Sequence, residues 1–192
     1  MKKKAILISG TPGTGKTTLS IGLGKNLGLN VINIGDFAIN NELIDSFDNE
    51  RDSLIPNEKN LISRIKKLIK KSNSIILEGH YVDIIPLQYV KLIIILRAHP
   101  LILEKRLKEK GYKQLKVNEN VAAEILGSCT ASAMNQYNKE IIFELDTSDL
   151  NINESISFLQ EIIKSQPKKY LAGTINYLKE LEKSRDLEKF FQ

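Results

Sequence analysis

The stretch AILISGTPGTGKTTLSIGL, residues 5–23, decides the fold. Its apolar opening, Ala5–Ser9, reads as a strand buried on both faces. The glycine-rich turn that follows satisfies G-x-x-x-x-G-K-[ST] through Gly10, Gly15, Lys16 and Thr17, and KTTLSIGL then opens a helix. Glycines let the backbone bend so that successive N–H groups point inward around phosphate oxygens. The helix adds its positive N-terminal end. In this frame Gly13, Thr14, Gly15, Lys16, Thr17 and Thr18 hold the phosphates. Lys16 reaches the β- and γ-phosphates, and the Thr17 hydroxyl ligates Mg²⁺. Strand, loop and helix in that order predict a nucleoside triphosphate site.

Outward from this unit, unbroken apolar runs recur at Val31–Ile34, Ile75–Leu77, Leu92–Leu96 and Ile141–Leu145. Helical spacing separates them at 57–71, 100–110, 118–137 and 153–164, most clearly in Leu61, Ile65, Leu68 and Ile69 with lysines on the opposite face. Strands alternating with helices predict an α/β fold with a parallel sheet. Gly22 and Gly24 weaken the first helix, so close packing is expected there. Residues 36–56 are polar and acidic and read as short helices and loops, and 110–118, KGYKQLKVN, as a compact insert. The sequence divides into a domain over 1–165 and a tail over 166–192, in which Leu171, Ile175, Leu178 and Leu181 share a helical face. That face either packs back on the domain or serves a partner.

A phosphoryl-transfer site also needs a carboxylate for the metal shell and cationic charge for the transferring group. ILEGHYVD, residues 76–83, ends an apolar run in Glu78, the natural carboxylate. His80 points the same way as Glu78 if the strand continues, with Gly79 between them leaving room for nucleotide or water. A neutral His80 would orient the attacking group or a metal-bound water. Asp36, ending VINIGD, is either a substrate contact or the N-cap of the next helix. Arg97, ending LIIILR, is the expected catalytic cation, followed by Arg106 and Lys110.

Composition bounds the remainder. The 192 residues suit one well-cored domain, and the net charge of +5 permits a polyanionic partner. No apolar run approaches the ~20 residues of a membrane span. MKKKAILISG has too short an apolar part for a signal peptide, which leads us to expect a cytoplasmic protein. Cys129 stands alone, so no disulfide framework or thiolate cluster is expected.

These motifs together resemble the adenylate kinase isoenzyme 6 family, small P-loop proteins of eukaryotes and archaea, of which this chain would be an archaeal member. The resemblance runs over about residues 4–164. It is carried by GTPGTGKTT, INIGDFA (32–38), LEGHY (77–81), IIILR (93–97), EKRLKEKGY (104–112), KVNENVAAEI (116–125) and Tyr137. It implies a five-stranded parallel sheet with a nucleoside-monophosphate segment at about 33–56 and a short lid at about 108–118. The implied chemistry is Mg²⁺-dependent phosphoryl transfer from ATP to AMP, giving two ADP, with ATPase activity alongside. Also implied is maturation of the small ribosomal subunit, through a platform ribosomal protein and pre-ribosomal RNA. A monomer is expected, with both activities using Glu78 and His80. Three positions depart from the family pattern. Glu78 stands where relatives commonly have Asp, Lys110 where the lid often has Arg, and Ile39 where some carry Arg, a contact that Arg51 would have to replace. A small-metabolite kinase of the shikimate type shares the P-loop but leaves the acid-x-His and ENVAAEI segments unexplained.

Overall fold

The continuous apolar runs become strands of one sheet because each is covered on both sides. The computed structural model describes residues 4–48, 53–72 and 74–190. Strands β1 (Lys4–Gly10), β2 (Asn30–Asn33), β5 (Ser74–Glu78), β6 (Val90–Arg97) and β7 (Ile142–Asp146) form a parallel sheet in the order β2-β5-β1-β6-β7. Alternate residues point to opposite faces. Leu7, Leu77, Ile93 and Ile95 pack against Leu61, Ile65 and Ile69 of α3 (Glu58–Lys71) and Ala133 of α6 (Ser128–Gln136). Ile6, Ile8, Ile76 and Ile94 pack against Leu19 and Leu23 of α1 (Lys16–Leu27) and Leu159 and Ile162 of α7 (Ile152–Ser165). Each such side chain contributes about 1.5–3 kcal/mol by leaving water. The expected tight approach of α1 is present. A Cβ on Gly22 would come within 2.4 Å of Ile156, and one on Gly24 within 2.3 Å of Val31.

Three expectations change. The acidic stretch after β2 begins with the expected short helix, α2 (Ile34–Asn40), but then forms an antiparallel hairpin, β3 (Ile44–Asp48) with β4 (Ser53–Pro56), where loops were expected. The helix expected over 118–137 is two, α5 (Gln114–Ile125) and α6. Gly127 breaks them with φ of 65°, a left-handed conformation costly to other residues. Last, the tail is no single helix. Leu171 bridges Phe143, the Ala172 N–H donates to the Ile142 carbonyl (2.9 Å), and only α8 (Tyr177–Ser184) is α-helical. Leu181 of α8 then enters a third apolar cluster with Leu103 and Leu107 of α4 (Pro100–Glu109) and Val117, Val121 and Ile125 of α5. Within the stretch 108–118, residues 110–113 form the turn between α4 and α5, and the remainder is helical. No described helix is long and apolar enough to cross a membrane.

Candidate phosphate-binding site

The parallel sheet brings the C-terminal ends of β1, β2 and β5 to one edge, and a cleft of ≈290 Å³ opens there. Its floor is the turn Gly13–Thr18, and Asn33, Glu78, His80 and Lys110 stand around it. The N-cap of α1 is Gly15, at φ 94°, so the turn presents backbone N–H groups where the helix starts. Lys16 folds over the loop, its Nζ donating to the carbonyls of Gly10 (2.7 Å) and Thr11 (3.1 Å). Burial pushes the Lys16 ammonium below its usual pKa, opposed by acidic neighbours including Glu78 and Glu124.

Glu78 ends β5 at 1% exposure. Its Oε1 accepts from the Thr17 hydroxyl (3.0 Å) and from Asn33 Nδ2 (2.7 Å). Its Oε2 is buried without a protein partner. Leaving a buried carboxylate oxygen unpaired is costly. A hard oxygen donor beside a threonine hydroxyl fits a small divalent cation, which takes oxygen ligands and keeps several waters. Among the described residues no group of three His, Cys, Asp or Glu forms a complete cage, so phosphate oxygens and water would fill the other positions. Gly79 follows at φ 142° and swings the chain so that His80 sits at the cleft mouth. The cleft walls strip water from the imidazole although one side stays exposed, and Lys16 and Lys116 add positive charge. Together they push its pKa down to about 4. His80 is therefore neutral near pH 7.

Two further hollows adjoin. Past His80 lies a cavity of ≈210 Å³ against β1, β6 and α6, bordered by Ser9, Asp83, Cys129 and Ser132, with the Ser132 hydroxyl donating to Asp83 (2.6 Å). On the other side of the loop, Gly13, Thr14, Gly15 and Thr18 share a cleft of ≈200 Å³ with Arg106, Leu150 and Ile152. The Arg106 guanidinium is held flat by the Thr147 hydroxyl (3.2 Å) and the carbonyls of Thr147 (2.7 Å) and Ser148 (3.1 Å).

The sheet edge thus gathers Gly13, Thr14, Gly15, Lys16, Thr17, Thr18, Glu78, His80, Arg106 and Lys110. Arg97 requires a correction. It does end β6, but at 2% exposure it points into the protein and lines neither cleft beside the loop. Nε and Nη1 pair with Glu124 (2.6 Å) and Glu144 (2.7 Å), Nη2 donates to the Glu124 carbonyl (2.8 Å), and Tyr177 covers it at 5.0 Å. Burial works against that charge, yet the two carboxylates outweigh it and hold the Arg97 pKa above its usual value. Asp36 is exposed in the first turn of α2, and the N-cap is Asn33, whose Oδ1 accepts from the Asp36 N–H (2.9 Å). Arg51 lies outside the described residues. Asn33 went unnoticed in the sequence, although an Asn between a strand and a helix is itself a cap signal.

Known proteins agree with this architecture. A family model described as AAA domain matches residues 6–127. A protein of Methanocaldococcus jannaschii is 34% identical over 90% of this chain and 92% of its own. One of Pyrococcus abyssi is 35% identical over 85% and 86%, and both bear the name "Putative adenylate kinase". Among solved structures, shikimate kinase from Bacteroides thetaiotaomicron superposes with a TM-score of 0.57 at 20% identity, covering 84% of this chain and 98% of its own. That likeness is one of fold.

Proposed function

This chain belongs to the family of these archaeal proteins and carries the AAA-type P-loop domain, and from that membership we propose that it transfers the γ-phosphoryl of ATP to AMP, giving two ADP. The adenylate kinase isoenzyme 6 type is the family branch we assign. The observation that carries this reading is Glu78, with one oxygen tied to Thr17 and the other unpaired, in a cleft that shares His80 with a second cavity. The turn Gly13–Thr18 and Lys16 take the triphosphate. The slot beside Arg106, Leu150 and Ile152 suits a flat adenine ring, with the guanidinium stacked on its face. Thr17 and, through water, Glu78 would hold Mg²⁺, which when bound neutralises charge on the β- and γ-phosphates. AMP enters past His80, and a phosphate oxygen of AMP attacks the γ-phosphorus as the bond to the β-phosphate oxygen breaks. Neutral His80 donates its ring N–H to a phosphate oxygen of the acceptor and orients it or, when AMP is absent, accepts from a water through its other nitrogen. Lys110 at the turn between α4 and α5 brings a point charge to the transferring group as that turn closes and sheds water.

The test is ADP formation from ATP and Mg²⁺ with and without AMP. AMP should accelerate it, and Glu78→Gln or His80→Ala should slow it by about 10²-fold or more. No acceleration by AMP overturns the kinase reading, and unchanged turnover in both variants overturns the site assignment. One observation favours a second reading, an ATPase acting in small-subunit ribosome maturation. Ile39, 51% exposed, stands where an acceptor-side cation is expected, and Phe47, Leu54 and Ile55 of the hairpin lie exposed near by in the chain. In that reading the same site hydrolyses ATP while the protein holds a ribosomal protein and pre-ribosomal RNA. Capture of such a partner, lost in high salt, would support it.

A further inference from the structure

The buried ion-pair group around Arg97 is, by itself, weak evidence of a stabilising role. It combines one guanidinium with two carboxylates, each at most 2% exposed. Well-packed apolar residues of similar volume often stabilise a fold as well or better. What apolar residues could not do is accept the bond found at the far end of this group. Glu124 Oε1 takes Arg97 Nε and the Ala98 N–H (3.1 Å), which leaves Oε2 to accept from the hydroxyl of Thr11, the residue that begins the phosphate turn. Thr11 is the hub of that turn. Its carbonyl accepts from the Thr14 N–H (3.3 Å), the Thr14 hydroxyl (2.8 Å) and Lys16 Nζ (3.1 Å). Arg97 is in turn braced by Glu144, which also accepts from Thr130 (2.7 Å) and from the Gly173 N–H (2.8 Å).

We infer that Glu124 is a positioning residue for the phosphate turn: through the Thr11 hydroxyl its fixed carboxylate holds the carbonyl on which Thr14 and Lys16 converge in the orientation that a bound triphosphate requires. This rests on reading the turn as the nucleotide site. Arg97, Glu144 and α5 serve as the frame that keeps the Glu124 carboxylate from moving. No contact of Glu124 with substrate is involved.

The experiment measures ATP affinity, KM, kcat and Tm for the wild type, Thr11→Val, Thr11→Ser and Thr130→Val. Thr11→Val keeps the side-chain shape and removes the hydroxyl. Thr130→Val removes a hydroxyl from the same buried group, at Glu144, without touching the turn. Both valine variants should lower Tm. Only Thr11→Val should weaken ATP binding, on the order of tenfold or more, since a hydrogen bond to a charged group is lost. Thr11→Ser should restore it. The inference is overturned if Thr11→Val binds ATP within about twofold of the wild type, taking a doubling as smaller than the loss of one hydrogen bond. It is equally overturned if Thr130→Val weakens binding as much as Thr11→Val, because the group would then act through stability alone. Wild-type protein that binds no ATP overturns the nucleotide reading itself, which separates the two failures.

Discussion

At the scale of single residues, the site works by deciding which charges meet water, which meet one another and which are left for a ligand. Glu78 and Glu124 are both buried carboxylates, yet both oxygens of Glu124 are bonded while Glu78 keeps one unpaired. His80 adds a pH signature. With its pKa pushed down to about 4, folding disfavours its protonation. The unfolded chain, with an ordinary histidine near ~6.5, then binds the proton more readily. Its contribution to stability is therefore whole above the unfolded value and lost as pH falls from there through about 4. NMR titration of the His80 imidazole in the nucleotide-free protein should show a midpoint well under the ordinary value, and Lys116→Gln should raise it. A midpoint at the ordinary value would contradict the cleft electrostatics. Lys16 was legible in the sequence because its motif fixes it locally, whereas the strand ends at Glu78 and Arg97 looked alike. Arg97 was misread because a strand end does not say which way a side chain turns, and its partners lie 27 and 47 residues away.

Among the elements, the break between α5 and α6 is the feature with the clearest consequence. It frees the end of α5, and the Glu124 carbonyl there accepts from Arg97 (2.8 Å). A Cβ on Gly127 would find its nearest neighbours, the Arg97 guanidinium nitrogens, at 3.7 and 3.8 Å, so Gly127→Ala meets no clash. Its cost is the left-handed backbone alone, about 1–2 kcal/mol, read as a lower midpoint in chemical denaturation. An unchanged midpoint would mean that the helices can rejoin across this position. The sequence showed helical spacing over both helices but not the break, because a lone glycine in a helical pattern is tolerated as often as it interrupts. The β3–β4 hairpin escaped notice for a related reason. Its strands have five and four residues, in an acidic stretch whose polar composition hides the alternation.

Across the whole molecule, the C-terminal tail is a strap over the edge of the sheet. It crosses β7 through Leu171, reaches Glu144 through the Gly173 and Ile175 N–H groups (2.8 and 3.3 Å), and packs Leu181, Leu187 and Phe190 against the cluster of α4 and α5. Leu181→Ala should cost about 2–5 kcal/mol as a cavity opens in that third cluster. Deleting residues 168–192 should lower Tm further than Leu181→Ala does, because it also strips the backbone donors from Glu144. A truncated protein that melts with the full chain would show that the tail does not hold the fold. Four tail positions shared a helical face in the sequence, and two of them, Leu178 and Leu181, do pack in the third cluster through α8. Leu171 instead makes an isolated antiparallel bridge to Phe143, because β7 is the edge strand of the sheet and its outer side was open to receive it.

What the sequence determined by itself is whatever depends on neighbours along the chain. Five apolar runs, the glycine turn that ends the first of them, and an acid that closes ILE required nothing more than local composition and period. The tertiary structure decided the fate of the charges. Whether Arg97 serves a phosphate or two buried carboxylates, and whether Thr11 is a passive turn residue or the handle by which α5 holds the turn, depends on groups brought together from distant segments. Removing charges from water is costly enough that such encounters, and not position in the motif, fix their roles.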